Sequence, residues 1–296
     1  MEHTDWLDEQ FEENRSHLRA VAYRMLGSLS EADDAVQDAW LRFSRSDTSD
    51  VENLKAWLTT VVARVSLNML RSRQTRREDP LLPHMPDPII DRPDGTDPEH
   101  EALLADSVGV ALLVVLNTLS PPERLAFVLH DIFAVPFDEI APIVDRSPEA
   151  ARQLASRARR RVQGEPTMPD ADIEHQRAVV DAFMAAARDG DFDALLAVLD
   201  PDIVLRADEG AVRVIAGSRE VRGAMAVAKQ ARAFSMRGFL VQPALVNGVV
   251  GAVSFGPDGN PVAVGAFTVR GDRIVAFDIL ADPVRLAGLD LAVLEG

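Results

Sequence analysis

The sequence predicts a multidomain chain: two all-α helical domains followed by an α+β domain built on a curved sheet. Three observations predict it. Apolar residues recur at helical spacing through residues 5–78 and again from about 99 to 162. Between those stretches, residues 79–98 read DPLLPHMPDPIIDRPDGTDP, and their six prolines exclude a helix interior. Beyond residue 172 the period changes, and short β-rich runs alternate with hairpin turns.

In the first helix, Leu18, Val21, Ala22, Met25 and Leu26 share one face, and Gly27 is placed to end it. Ser30 is expected to cap a second helix, with Asp33 in place of the usual capping-box glutamate. Its apolar positions are Ala32, Ala35, Val36, Ala39, Trp40 and Phe43. A polar tip at 44–50 leads to a third helix expected from near Val51, which ends in the arginine-rich RSRQTRR at 71–77. Trp57 on that helix reads as a core residue.

The strongest local pattern is FDEIAPIVDRSPEAARQLASRARRRV at 137–162. A short helix at 137–143 is followed by the turn Val144-Asp145-Arg146. Ser147 is then an N-cap and Pro148 the first helical residue, with Glu149 favouring the positive helix end. Ala151, Leu154, Ala155, Ala158 and Val162 form an apolar stripe, and the opposite face carries Arg152, Gln153, Ser156 and Arg160. This is a helix-turn-helix whose second helix offers groups suited to base edges and phosphates. Pro142 should kink or shorten its first helix, and Asp145 stands where glycine is common.

After a second break at 163–172, a helix at 173–189 and a short one at 192–199 precede strand-like runs. These fall at 203–207, 212–216, 239–246, 249–255, 262–269 and 273–280, with the turns VNGV, GPDGNP and RGDR. A curled antiparallel sheet is the expectation.

Composition bounds function. Cysteine is absent and the six histidines are scattered, so neither a disulfide framework nor a metal site is expected, and no cofactor is expected. The opening MEHTDWLDEQFEEN is acidic where a signal peptide is basic, and no run approaches the roughly 20 apolar residues of a membrane span. A cytoplasmic protein with no membrane association is expected. The net charge of −16 disfavours nucleic acid only in the aggregate, because the arginines cluster at 71–77 and 152–161.

Three quoted stretches, EADDAVQDAWLRF (31–43), NLKAWLTTVVARVSLNMLRSRQ (53–74) and LSPPERLAFVLHDIFAVPFDEIAPIVDRSPEAARQLASRARRRV (119–162), together resemble the extracytoplasmic-function sigma factors. The resemblance implies an RNA polymerase core partner and a promoter DNA partner. It implies that Asp34, Gln37, Asp38 and Trp40 face the polymerase clamp. The 44–53 tip with Arg64, Asn68, Arg71 and Arg73 would read the −10 element. Arg152, Gln153, Ser156, Arg157 and Arg160 would read the −35 element, and 112–128 would offer an apolar groove to the polymerase flap.

The segment HQRAVVDAFMAAARDGDFDALLAVLDPDIVLRAD (175–208) is similar to the opening of the SnoaL-like domain found in one group of these factors. That group carries a linker motif of tryptophan-leucine-proline-glutamate-proline-leucine; here the matching segment is His84-Met85-Pro86-Asp87-Pro88-Ile89. Its aspartate-triple-glycine-lysine motif corresponds here to Asp208-Glu209-Gly210-Ala211-Val212, which keeps the aspartate and one glycine but lacks the lysine. The resemblance implies regulation in cis through Pro86, Asp87, Pro88, Asp208, Glu209 and Gly210, with no separate anti-sigma factor.

The expected division is a region 2 helical domain at 1–78, a linker at 79–106 and a region 4 helix-turn-helix domain at 107–163. A linker at 164–172 and a SnoaL-like regulatory domain at 173–296 complete it. SnoaL-like folds include enzymes, and His175, Asp208, Glu209, Asp278 and Asp282 are the titratable candidates; Asp278 could point into a cavity as a base or pair with Arg206 or Arg213. No motif names a reaction, so no enzyme is expected. The competing class is a small-molecule-binding or enzymatic SnoaL-like protein with an attached DNA-binding part; a small-molecule ligand of the C-terminal domain is a candidate partner under both. A monomer is the expected state.

Overall fold

The computed structural model describes residues 2–46, 51, 53–76, 85–95, 109–165, 169, 172–210 and 220–294, with backbone only for 2–8 and 76. Half of the 44–53 tip (47–50 and 52), His84, and the strand expected at 212–216 lie outside these. The chain forms two compact units. The first comprises Met1–Leu81, Pro98–Asp106 and Val115–Gly164; the second comprises Leu82–Asp97, Ser107–Val114 and Glu165–Gly296. Most of the segment expected as a linker, 79–106, therefore belongs to the second unit.

The first unit begins with α1 (Glu2–Leu26), α2 (Leu29–Phe43) and α3 (Leu54–Arg76). Gly27 ends α1 in a left-handed conformation (φ +73°), its N–H bonded to Tyr23 at 2.7 Å. Because the chain turns at once, α2 starts from Ser28 rather than Ser30, and the two hydroxyls lie 3.1 Å apart. Likewise α3 starts after Asn53, whose side chain accepts from the Ala56 N–H at 3.0 Å; Val51 has no such group. Phe11, Trp40, Phe43 and Trp57 form a chain of ring contacts at 5.1–6.2 Å that joins the three helices.

The helical chain resumes in α4 (Val110–Asn117) and α5 (Pro121–Phe127). Ser120 and Glu123 form a capping box at the start of α5. A π-helical turn (Val128–Ile132) leads to α6 (Phe137–Val144) and α7 (Pro148–Gln163). Pro142 sits within α6, which is only eight residues long. Asp145 adopts φ +55°, and Ser147 caps α7 by accepting from Ala150 N–H at 3.3 Å.

Arg124 of α5 is buried, and its Nε and Nη2 donate to the Arg24 carbonyl in the last turn of α1 at 3.1 and 3.0 Å. Burial pulls its pKa down to about 9, which leaves it charged near neutrality. The apolar residues of 112–128 are turned inward (Leu113, Leu116, Leu125 and Val128 are at most 1% exposed), so they present no open groove here.

The second unit adds α8 (Ile173–Asp189), α9 (Phe192–Val198) and α10 (Ala224–Ser235) to a seven-stranded sheet. Its strands are β1 (Ile90–Asp91), β2 (Leu199–Asp208), β3 (Glu220–Arg222), β4 (Leu240–Val246), β5 (Val249–Phe255), β6 (Pro261–Arg270) and β7 (Arg273–Leu280). The order is β1-β4-β5-β6-β7-β2-β3. The sheet is mixed, not purely antiparallel: the chain crosses over through α10, and β7 closes alongside β2 in parallel.

Alternation along the strands gives the sheet two apolar faces. One packs Val250, Phe267, Phe277 and Ile279 against Val179, Phe183, Val227 and Ala228 of the helices, with Phe267 stacked on Phe277 at 4.1 Å. The other carries Val246, Val249, Val253, Val264, Ala266 and Leu280, packed against Met85, Ile90, Val110, Val114 and Leu286. This outer face is closed by connecting segments of the chain.

His17 supplies a pH test of the first unit. Thr59 donates its hydroxyl hydrogen to Lys55 O at 2.7 Å, so the 3.0 Å contact has His17 Nε2 donating to Thr59. Burial, then Lys55 and Arg24, lowers its pKa from 6.5 to about 4. The folded state therefore resists protonation while the unfolded chain accepts it, so this contribution is intact above pH 6.5 and fades as pH falls toward 4. A His17→Gln variant is expected to lose less stability than the parent over that interval, read as urea midpoints; parallel curves would refute the assignment.

Candidate functional site

On α2, Asp34, Gln37 and Asp38 are exposed along one face, which continues to Leu41. Trp40 is only half-exposed, its ring 5.1 Å from Phe11 and 5.9 Å from Phe43, and so serves the helix core as well.

On α3, Arg64, Asn68 and Arg71 follow one another at helical spacing and are all exposed. Arg73 is different. Its guanidinium pairs with Glu31 and reaches the Leu26 carbonyl at 3.4 Å, so it ties the ends of α1 and α2 to α3. The first three form an exposed polar stripe, from which Arg73 is set apart by its internal partners.

On α7, Gln153 and Arg160 are exposed, with no side-chain partner among the described residues, and Ser156 is half-buried between them. Arg152 lies over the Phe137 ring at 5.2 Å, which orients it at the start of the helix. Arg157 Nε donates to Glu123 Oε1 at 2.9 Å, joining α7 to the capping box of α5. That bond and the capping box hold the Glu123 carboxyl below its ordinary range despite the opposing effect of burial. Arg159 is bonded to Asp131, and Arg161 to the Thr118 carbonyl at 3.2 Å. Part of this basic helix is therefore spent on internal struts.

In the second unit, the regulatory candidates converge. Pro86, Pro88 and Ile89 are buried and Asp87 is half-buried. Asp208 Oδ2 accepts from Met85 N–H at 3.0 Å and from Arg285 Nη1 at 2.8 Å, while Oδ1 accepts from Gly210 N–H at 3.1 Å. Arg285 Nη2 donates to Asp87 at 2.7 Å, closing the link between connector and sheet. Gly210 has φ +68°, where an L side chain is strained, and a Cβ there would press on the Asp282 carboxylate. Glu209 is half-buried beside them, and Ala211 and Val212 lie outside the described residues.

Farther along, Ile90 and Asp91 pair with Val246 and Leu245 as an edge strand. Asn247 exchanges two bonds with Ile89: its N–H donates to Ile89 O at 2.8 Å, and its Oδ1 accepts from Ile89 N–H at 3.2 Å. Sequence reading missed Asn247 because Asn-Gly reads only as a hairpin turn, which it also is (φ +52° and +74°). It missed Arg285 because a lone arginine in a short helix gives no tertiary signal.

Of the catalytic candidates, Asp208 and Asp282 both lie against Gly210 and are engaged in backbone bonds. For Asp278, expected either to face a cavity or to pair with an arginine, the second holds: it pairs with Arg206 on the outer face of the sheet. Burial raises its pKa, opposed by Arg206 at 3.1 Å. His175 bonds the Gly271 carbonyl and Asp282 caps a short helix (Pro283–Leu286). The face under the helices carries the apolar cluster around Phe183, Phe267 and Phe277, with Arg177 and Asp181 of α8 lining a cavity beside Val180 and Val250. No group of three or more metal-binding side chains occurs among the described residues, and none of their helices is long and apolar enough to cross a membrane.

Comparison with known proteins agrees with this layout. Residues 10–76 match the model of Sigma-70 region 2, and residues 109–162 that of Sigma-70, region 4. The chain is 40% identical over 295 residues to the ECF RNA polymerase sigma factor SigJ of Mycobacterium tuberculosis, covering 95% of this chain and 94% of that one. It is 36% identical over 211 residues to the probable ECF RNA polymerase sigma factor SigI of the same species, covering 70% and 72%. The crystal structure of the M. tuberculosis SigJ superposes with a TM-score of 0.77 at 37% identity, covering 96% of this chain and 99% of that one.

The geometry distinguishes struts from reading groups on α7. Glu123→Gln retains the capping box but breaks the ion pair with Arg157. Glu123→Gln and Arg157→Ala are each expected to weaken binding to −35 duplex DNA roughly two- to fivefold, with the double variant no weaker than either. Fluorescence anisotropy measures this. Additive losses, or no effect of Glu123→Gln, would make Arg157 a direct DNA contact instead.

Proposed function

We propose a promoter-recognition mechanism regulated in cis, from the premise that this chain belongs to the extracytoplasmic-function sigma factors of RNA polymerase. Sigma factors direct RNA polymerase to promoter DNA and are initiation factors rather than enzymes; the C-terminal unit here has a SnoaL-like fold. In our reading, region 2 spans 1–78 and region 4 spans 107–163. The connectors are 79–106 and 164–172, and residues 85–91 of the first dock on a regulatory domain at 173–296.

The exposed face of α2, with Asp34, Gln37 and Asp38, meets the polymerase clamp. Arg64, Asn68 and Arg71 contact the −10 element, where a displaced strand needs backbone neutralisation and stacking partners. Arg152, Gln153, Ser156 and Arg160 contact the −35 element, as the solvent-facing groups of a second helix in a helix-turn-helix. Arg73 and Arg157 hold those surfaces in shape. The protein acts in the cytoplasm as a monomer, without a separate anti-sigma factor.

The single observation that carries regulation in cis is the docking of 85–91 on the sheet through Asp208, Arg285 and Asn247. A connector held in this way limits how far regions 2 and 4 can separate on polymerase. A small-molecule ligand of this unit would fit the cavity of about 240 Å³ lined by Arg177, Val180, Met184, Leu245, Val250 and the connector residue Pro93. Its contact with Pro93 would make ligand binding and connector docking interdependent.

Asp208→Ala leaves the Met85 N–H and the Arg285 guanidinium without their shared acceptor, a loss of about 1–3 kcal/mol. Faster hydrogen exchange is expected at residues 85–91. Run-off transcription with core polymerase is expected to shift at least about threefold, on the scale of an allosteric coupling. Released exchange with unchanged transcription would eliminate regulation through this contact, and failure to bind core polymerase would eliminate the promoter reading.

A further inference from the structure

The residues just ahead of α6 build a stacked pair of rings, and Arg152 rests on it. His130 lies in the π-helical turn Val128–Ile132, closed by Phe133 N–H donating to Val128 O at 3.2 Å. Ala134 then takes a left-handed φ of +55°, which a residue with a side chain holds only where its surroundings impose it. After that reversal Val135 folds back onto the turn. Its N–H donates to Leu129 O at 2.8 Å, and its carbonyl accepts from His130 Nδ1 at 3.0 Å. A carbonyl can only accept, so Nδ1 carries the hydrogen and the bond orients the ring. Pro136 (φ −63°) then leads into α6. The first residue of that helix, Phe137, stacks on His130 with ring centroids 3.8 Å apart and planes 28° from parallel. Arg152 Cζ lies over Phe137, 5.2 Å from its centroid.

The stack adds nothing that α7 needs in order to form. That helix is capped by Ser147, started by Pro148 and packed through Ala151, Ala155, Ala158 and Val162. His130 and Phe137 are half-buried, whereas Arg152 is exposed and has no ion-pair partner among the described residues. Arg157 and Arg159 on the same helix are held by the carboxylates of Glu123 and Asp131, which occupy their donors. Arg152 is held instead by a ring face, which restrains the guanidinium and leaves its N–H groups unspent. Reading a base edge requires both conditions: a bidentate arginine meets the base in its plane, with its donors free. An arginine swinging freely from the helix would first lose side-chain freedom.

We propose that Phe137, backed by His130, is a positioning residue for Arg152 and sets how strictly this sigma factor selects the −35 base pair that Arg152 meets. The proposal rests on the reading of α7 as the −35 contact helix. Neither ring touches DNA in this scheme; both act through the guanidinium.

The test is run-off transcription by the full-length chain with core polymerase. The promoter is one selected by the parent from a randomised library, remade with every single base-pair change in its −35 element. Arg152→Ala is expected to flatten the preference at one base pair, which marks the pair that Arg152 meets. Phe137→Leu keeps an apolar side chain in place and is expected to reduce discrimination at that pair alone by about two- to fivefold, the range for one exposed cation–π contact. Phe137→Tyr and Phe137→Trp retain a ring and are expected to keep the parent's preference. Adding Phe137→Leu to Arg152→Ala is expected to alter the preference at no further pair, which a merely structural ring would not give. His130→Asn removes the second ring, keeps an N–H donor for Val135 O, and is expected to give the same pattern at smaller size. It carries the test if Phe137→Leu lowers the thermal midpoint. Unchanged discrimination in both Phe137→Leu and His130→Asn, or an equal loss across the whole element, would overturn the proposal. An Arg152→Ala profile identical to the parent's would overturn the place of Arg152 in the −35 reading, and the proposal with it.

Discussion

The carboxylate of Asp208 is the point on which the second unit turns. It receives Met85 N–H, Gly210 N–H and the Arg285 guanidinium, and Arg285 in turn holds Asp87. Without that set, the connector has little reason to lie on the sheet, and the outer face with Val246, Val249, Val253, Val264 and Leu280 loses Met85 and Ile90 from its cover. A sheet with two apolar faces must be covered on both. The three helices cover one; the other is closed by Met85 and Ile90 of the expected linker together with Val110, Val114, Leu286 and Leu294. Docking of the connector therefore completes the cover of this unit, through a polar network in which Asp208 and Asp87 meet the Arg285 guanidinium.

Proline content, which excluded a helix from this segment, becomes intelligible in this setting. Pro86 and Pro88 have no N–H, so donors along the connector are spaced at alternate residues. Two of those are met by side chains of the sheet: Met85 by Asp208 and Ile89 by Asn247. An X-Pro-X-Pro run is pre-extended and is tolerated at a sheet edge, where one row of hydrogen bonds is missing anyway. Pairing with β4 begins only at Ile90, where the prolines stop.

Much of the architecture was legible because it is written in local chemistry. Ser147-Pro148 announced the start of α7, Asp145 took the left-handed turn, and Gly27 ended α1 as its position implied. Where local signals competed, the nearer constraint won: Gly27 moved the α2 start from Ser30 to Ser28, and the Asn53 side chain outweighed Val51 for α3. The helix at 224–235 went unread because its buried stripe is small, Val227 and Ala228 against the sheet. The parallel pairing of β2 with β7 has no local signature at all, since it follows from how the chain closes. That closure also put Asp278 on the outer face, away from the helices.

The site residues divide by the same logic. Periodicity finds which arginines share a helix face, and it placed Arg64, Asn68 and Arg71 together. It cannot tell a surface cation from one answered by a carboxylate elsewhere in the chain, as Arg73 is by Glu31, Arg157 by Glu123 and Arg206 by Asp278. In a chain of net charge −16 such answers are plentiful. Each internal pair removes a cation from the count available to phosphate, so the electrostatic contribution to DNA affinity is smaller than the arginine clusters suggest, and the surviving free groups carry more of the selectivity. The departures at 208–212 fit the same account. The lysine of that motif is absent here; Asp208 accepts from Arg285, which reaches it from the short helix after β7, and Gly210 holds a positive φ at which an L side chain is strained.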